Sequence, residues 1–188
     1  SNAEYDRDAE LETHAYEFIH TDDPERLLNM KFDVIVGNPP YQLSDGSGAS
    51  TDAAAPIYQN FVTQAKRLNP HYLSMIIPSR WVVGGRSTLN SFRSEMRMDQ
   101  HLAEIHDFEN AAECFPGLHI DGGVCYFLWD RNHKGRLKYV FKPIKDDTTT
   151  CMRFLDSGTK YVIRDSRLFS VLDKLAGLER FSKIVSKT

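Results

Sequence analysis

Phe32-Asp33-Val34-Ile35-Val36-Gly37-Asn38-Pro39-Pro40-Tyr41 decides the fold. Its first half is a β-branched apolar run of strand length, and Gly37 stops it. A continuous apolar run of this kind suits a parallel strand buried on both faces. Its second half carries polar and ring groups placed directly at the carboxyl end of that strand. In open α/β sheets ligands bind in the crevice beyond the carboxyl ends of the strands. Asn-Pro also favours plain turns, so the tetrapeptide alone leaves an ordinary loop open.

Outward from this stretch the pattern is strand, helix, strand, helix, then further strands. Residues 56–68 read as an amphipathic helix with Ile57, Phe61, Ala65 and Leu68 on one face, ended by Asn69-Pro70. Tyr72–Ile77 reads as the next buried strand, and 86–98 as another helix. Strands are expected at 101–108, 122–129 and 136–142. Upstream, residues 4–17 read as a helix and Tyr16–His20 as a short strand. Thr21-Asp22-Asp23-Pro24 offers a cap and a Pro for a short helix over 24–29. Downstream, Thr148–Thr150 reads as a break, 151–163 as a hairpin around Ser157-Gly158, and 165–176 as a helix. The class is an open α/β sheet with an antiparallel edge. A loop of about fourteen residues, Gln42–Ala55, follows the Asn-Pro-Pro-Tyr stretch, and loops of such length are often functional.

Composition bounds the chemistry. The chain has 188 residues, 41% hydrophobic and 26% charged, as in a globular domain able to build a core. No apolar run approaches the ~18 residues a membrane span needs, and the acidic opening is the wrong charge for a signal peptide. Ser1-Asn2-Ala3 reads as a tag remnant. Three cysteines without a CxxC pair argue against a disulfide framework or a Cys-based zinc site, and fit a reducing, cytoplasmic setting. The seven histidines show no metal-ligand spacing, so no metal is expected. Charge is segregated: residues 1–30 carry nine acidic and two basic groups, residues 131–188 six and fourteen. A basic end suits a polyanionic partner; the alternative is a solvated basic face.

FDVIVGNPPY resembles the catalytic motif of the S-adenosylmethionine-dependent N6-adenine DNA methyltransferases of restriction–modification systems. Ile57–Phe61, leading to Ala65–Pro70, resembles the helix after that family's catalytic loop. Met75-Ile76-Ile77-Pro78-Ser79-Arg80-Trp81 resembles its next strand. Phe115-Pro116-Gly117 with Gly123–Trp129 resembles its final hairpin region. The likeness runs over residues 18–142, in the motif order of the gamma class, and includes large enzymes that combine methylation with cleavage.

The resemblance implies a Rossmann-like methyltransferase sheet, of which this chain holds the C-terminal half. That half would be mostly parallel with an antiparallel edge hairpin and helices on both faces. It implies double-stranded DNA as substrate and S-adenosylmethionine as methyl donor. It also implies roles. Asn38 and the Pro39 carbonyl would accept the two N–H groups of a flipped adenine's amine, Pro40 would stiffen the loop, and Tyr41 would stack on the base. Phe115 would sandwich the base from the other side; the alternative is a Phe at a strand end. Phe61 would pack on the donor's adenine; the alternative is helix core. Asp22, sixteen residues before Asn38, would bind that adenine's amino group; the alternative is a helix cap, and Asp23 stands where the family places an aromatic. His101, His106, Asp45 and Asp52 read as structural, and the pairs Gly84-Gly85 and Gly122-Gly123 as turns.

The family's Gly-rich donor loop and ribose-binding acid are not found in these 188 residues. The expected organisation is therefore a fragment: 4–30 the end of the donor-binding half, 31–145 the catalytic half, 146–188 a basic lead-in to a target-recognition region. Its partners would be DNA and the remaining domains of the parent. Alone it would be inactive and hold the donor weakly. Two rivals stay open: a protein-glutamine N-methyltransferase, which shares Asn-Pro-Pro-Tyr because an amide nitrogen poses the same lone-pair problem, and a non-catalytic DNA-binding or assembly fragment.

Overall fold

A computed structural model of the protein describes residues 14–42, 55–84, 87–156, 162–171 and 174. Residues 14–20 form a helical segment, α1, and α2 (Pro24–Leu28) follows. The Asp23 side chain caps α2 by accepting from Arg26 N at 3.0 Å, Pro24 opens its first turn, and Asn29 closes it in the left-handed region. β1 (Val34–Gly37) leads through the Asn38 loop to α3 (Tyr58–Arg67) and β2 (Tyr72–Pro78). α4 (Arg80–Val83) and α5 (Asn90–Met98) precede β3 (Leu102–Phe108). β4 (Val124–Asp130), β5 (Leu137–Lys142) and β6 (Thr149–Arg153) complete the sheet.

The six strands lie in the order β1-β2-β4-β3-β5-β6. β1 with β2 and β3 with β5 pair parallel, whereas β4 runs antiparallel between β2 and β3, and β6 antiparallel to β5. The α/β class therefore stands, but the sheet is mixed and not mostly parallel. The expected cover on both faces differs as well: among the described residues α3, α4 and α5 pack on one face. The connections β1 to β2 and β2 to β3 advance in the same direction across the sheet, and right-handed crossovers then place their helices on the same side.

Alternation of side chains records this. Leu73, Met75, Ile77, Ile105, Phe127 and Tyr139 point into a core shared with Tyr58 and Val62 of α3, Trp81 of α4, and Phe92 and Met96 of α5. The opposite parity holds Val34, Val36, Tyr72, Tyr126 and Met152, all exposed. On that face His106 stacks on Tyr126 at 4.7 Å and bonds Glu104, a packing role.

Two local expectations are corrected. Tyr16–His20 is helical, because tertiary contact of Phe18 with Phe61 on α3, ring centroids 6.1 Å apart, rewards a helical face over the strand propensity of Tyr, Phe and Ile. Thr149 and Thr150 begin a strand where a break was expected, since β5 offers them an unpaired edge. The hairpin is thus β5–β6; residues 157–161 lie outside the described residues, as does most of the Gln42–Ala55 loop, with Asp45 and Asp52. Residues 168–171 and 174 are helical within the expected 165–176.

Two polar networks sit in the apolar packing. Asp107, 1% exposed near the end of β3, accepts from Ser79 Oγ at 2.7 Å and Tyr139 Oη at 2.6 Å. It also receives a two-pronged Arg164 bond, Nε at 2.6 Å and Nη2 at 2.7 Å. Arg164 so fastens the segment beyond β6 to the carboxyl ends of β2 and β3. A bidentate pair with its remaining lone pairs used is the geometry that makes a buried carboxylate tolerable. Gly123, at φ +83°, supports the same corner: its carbonyl accepts from Ser79 N at 2.9 Å, and a Cβ there would lie 1.9 Å from Phe108 O.

The second network centres on Asp99. It accepts from Lys66 Nζ at 2.8 Å, Trp129 Nε1 at 3.0 Å and His101 N at 2.9 Å, tying α3 and β4 to the end of α5. Burial alone raises its pKa, but the Lys66 ammonium and the hydrogen bonds outweigh that and hold it below the ordinary carboxylate value. A depressed acid contributes stability that is present above its unfolded pKa and lost as pH falls through its folded one. Asp99→Asn should therefore cost about 1–2 kcal/mol at neutral pH, and the gap should close as pH falls below the ordinary carboxylate range. Urea midpoints of both proteins across this range test it; a gap independent of pH would contradict it.

Candidate active site

β1, β2 and β3 run in the same direction, so their carboxyl ends share one rim, and the loops that leave them meet there. β1 hands over to Asn38-Pro39-Pro40-Tyr41 at this rim. Gly37 lies against the Met75 side chain, where a Cβ would stand 3.7 Å from Cε. Pro39 is buried, while Asn38 and Pro40 are exposed. The ring of Pro39 thus anchors a stretch whose φ angles at both prolines are already fixed. No described group bonds the Asn38 side chain, so its carboxamide is uncommitted. Tyr41 O accepts from Ile57 N at 3.1 Å, and Gln42 bridges Pro56, so the two ends of the intervening loop are tied together directly before α3.

Tyr41 is half-buried and packs against the edge of the core. Its hydroxyl is enclosed, with no hydrogen-bond partner among the described residues. Burial, with smaller contributions from Cys125 and Cys114, pushes the phenol up to about 12, so it stays neutral in the physiological range. Cys114 immediately precedes Phe115, so the loop after β3 approaches Tyr41.

That loop is built by short local bonds. Asn110 caps a 3₁₀ turn over Ala111–Glu113 by accepting from Ala112 N at 3.1 Å. Phe115 N donates to Ala111 O at 2.9 Å, and Leu118 N to Phe115 O at 3.0 Å. Gly117 takes φ +82° in the turn. Phe115 is half-buried, leaving part of its ring accessible. The β2 loop adds Arg80, whose guanidinium bonds the Asp121 carboxylate at 3.0 Å and so joins the loops after β2 and before β4. The neighbouring Trp81 is fully buried core.

Asp22 and Phe61 lie on separate elements. Phe61 is half-buried on α3 with its ring beside Phe18. Asp22 is exposed in the turn between α1 and α2, and no described group bonds its carboxylate. The cap of α2 is Asp23, so Asp22 is released from that role. Among the described residues no cluster of three or more His, Cys, Asp or Glu could hold a metal ion, and no helix is long and apolar enough to cross a membrane.

Asp107 and Gln64 carry no expectation from sequence. Each leaves a faint trace: Asp107 has the same strand parity as buried Ile105, and Gln64 lies beside the apolar stripe of α3. A polar group on an apolar stripe is the signal of a buried network.

Comparison with known proteins gives likenesses of three kinds. The family model described as Eco57I restriction-modification methylase matches residues 1–115, more than half of the chain. An "uncharacterized adenine-specific methylase" of Mycoplasma pneumoniae is 41% identical over 142 residues, 72% of this chain and 34% of that protein. The chain thus spans about a third of the length of the curated relative it matches. Among solved structures, the type I restriction-modification methyltransferase subunit from Streptococcus thermophilus aligns at TM-score 0.42 and 14% identity, covering 82% of this chain and 34% of that one. A DrdV–DNA complex aligns at 0.44 and 16%, covering 71% and 18%.

An enclosed hydroxyl without a partner contributes nothing that its loss would forfeit. Tyr41→Phe should leave the melting temperature unchanged or raise it, whereas Tyr41→Ala should lower it by opening the core edge. Thermal melts of both variants decide this, and a marked fall for Tyr41→Phe would show that the hydroxyl has a partner.

Proposed function

Because the chain belongs to the Eco57I restriction-modification methylase family, we propose that it carries the catalytic half of a DNA adenine-N6 methyltransferase. The observation that supports this most is Asn38-Pro39-Pro40-Tyr41 at the carboxyl end of β1, with Pro39 buried and the Asn38 carboxamide uncommitted.

The amino group of adenine is a poor nucleophile because its lone pair is delocalised into the ring, and it is hidden inside the duplex. The base is therefore extruded, at a cost of a few kcal/mol. Asn38 Oδ1 accepts one N–H of the amine, and the Pro39 carbonyl accepts the other. Two acceptors so placed favour a pyramidal nitrogen whose lone pair points out of the ring plane. Proline at positions 39 and 40 keeps those acceptors aimed without reorganisation, which is where such electrostatic effects gain their strength. Tyr41 and Phe115 supply faces for the extruded base, a contact worth about 1–3 kcal/mol per base.

S-adenosylmethionine fits as the methyl donor and, when bound, supplies an electrophilic methyl group on a sulfonium. On this chain the residues suited to it are at its adenine end: Asp22, an uncommitted carboxylate for the amino group, and Phe61, a half-buried ring for the purine face. DNA would be the substrate, met partly by the basic residues beyond 131. The edge of β1 that no described strand pairs, and the apolar hollow of 280 Å³ beside it lined by Phe18, Leu28, Phe32, Val34 and Val36, suit further parts of the parent that continue the sheet. A glutamine-methylating enzyme would share the Asn-Pro-Pro-Tyr loop, but the family membership favours the nucleic-acid substrate.

Asn38→Ala removes one of the two amine acceptors. In the full-length protein it should lower methyl transfer to duplex DNA by about 10²-fold or more, as loss of a single oxyanion donor does. Tritium incorporation at saturating DNA and donor measures it; turnover near the parent's would exclude the two-acceptor mechanism.

A further inference from the structure

Asp22 and Phe61 are separated by a long stretch of chain, yet the proposed donor site needs them in register. The side chain that sets this register is Gln64. It lies one turn after Phe61 on α3 and is 4% exposed. Its Nε2 donates to two backbone carbonyls of the Asp22 segment, Phe18 O at 2.9 Å and Thr21 O at 2.7 Å. Only an amide nitrogen can face two carbonyls, so the orientation of the carboxamide is fixed by its surroundings. Its Oε1 accepts from Arg67 Nη1 at 3.1 Å, and Arg67 Nη2 donates to Asp22 O at 2.6 Å. Three consecutive links therefore fasten the backbone of residues 18–22 to one helix turn. The turn itself is tightened by Thr21 N on Glu17 O at 2.9 Å and Asp23 N on Thr21 Oγ1 at 3.2 Å.

We propose that Gln64 and Arg67 are positioning residues for the methyl donor: they hold the Asp22 turn against α3 so that the Asp22 carboxylate and the Phe61 ring present one preformed site for an adenine. The inference rests on the reading of Asp22 and Phe61 given above. Every contact of the clamp is to a main-chain carbonyl or within the clamp itself, so the Asp22 side chain is left free for ligand. A turn already ordered in the free protein spares the donor the cost of ordering it, and that gain appears in affinity. The adenine end is remote from the transferred methyl group. Interactions there are equal in the ground and transition states, so weakening them raises KM and leaves kcat unchanged.

The test uses the full-length protein and two readouts, steady-state kinetics with S-adenosylmethionine as the varied substrate and amide hydrogen exchange over residues 18–23. Gln64→Met keeps the volume and removes the donors. It should raise the donor KM about tenfold, the loss of roughly one strong contact, with kcat within about twofold, and speed exchange at Thr21 and Asp23. Arg67 is exposed, so its variants fold whatever happens to Gln64→Met. Arg67→Ala should raise the donor KM about threefold, and Arg67→Lys, which keeps a donor for Asp22 O, should recover most of that. Asp22→Ala is the reference. If it raises the donor KM while Gln64→Met and Arg67→Ala do not, the clamp is overturned and the donor-site reading stands. If Asp22→Ala leaves the donor KM unchanged, the donor-site reading falls and the clamp with it. A fall in kcat without a change in KM would likewise overturn the positioning role.

Discussion

Strands that run parallel must end on the same side of a sheet, and this constraint governs the rest of the molecule. β1 and β2 pair in parallel through the α3 crossover, and β3 joins the same direction beyond the inserted antiparallel β4. The loop after β1, the Ser79-Arg80 turn after β2 and the Phe115 loop after β3 consequently open onto a single rim. Chemistry-bearing groups far apart in sequence converge there without any binding partner to gather them. The helices do the opposite work: packed on one face, they fix the spacing of the strands and leave the rim clear.

The rim is held by polar groups that the apolar core alone could not align. Asp107 gathers Ser79, Tyr139 and Arg164, drawing β2, β3, β5 and the segment beyond β6 to one buried carboxylate. At the opposite ends of the strands, Asp99 draws the end of α5 to α3 and β4 in the same way. Hydrophobic burial is non-directional and fixes which face is inside. Hydrogen bonds to a desolvated carboxylate are directional, and removal of one partner is costly, so they fix where each strand end lies. Gln64 applies the same device to a turn, gripping main-chain carbonyls whose positions do not depend on the side chains they carry.

Much of this was legible in the chain. β1, β2, α3, α5 and the strands near 102, 124 and 137 carry strong local patterns, and each appears within a few residues of its expected bounds. Asn38-Pro39-Pro40-Tyr41 announced the rim because its chemistry and its strand end coincide in sequence. What local pattern could not show was set by long-range contact. Residues 16–20 have strand-like composition but find their partner on α3. Thr149-Thr150 reads as a break until β5 offers it an edge. The number of helix-covered faces depends on the direction of the crossovers, which no single segment encodes. Gln64 and Asp107 gain meaning only from partners 43–46 and 28–57 residues away.

We propose that this rim methylates the exocyclic amine of adenine. Full-length protein incubated with methyl-labelled S-adenosylmethionine and an adenine-containing duplex, followed by digestion to nucleosides and mass analysis, tests it directly. Label is expected in N6-methyldeoxyadenosine and should be lost with Asn38→Ala. Label confined to methylcytosine, or to a glutamine of a protein substrate with none in DNA, would contradict it.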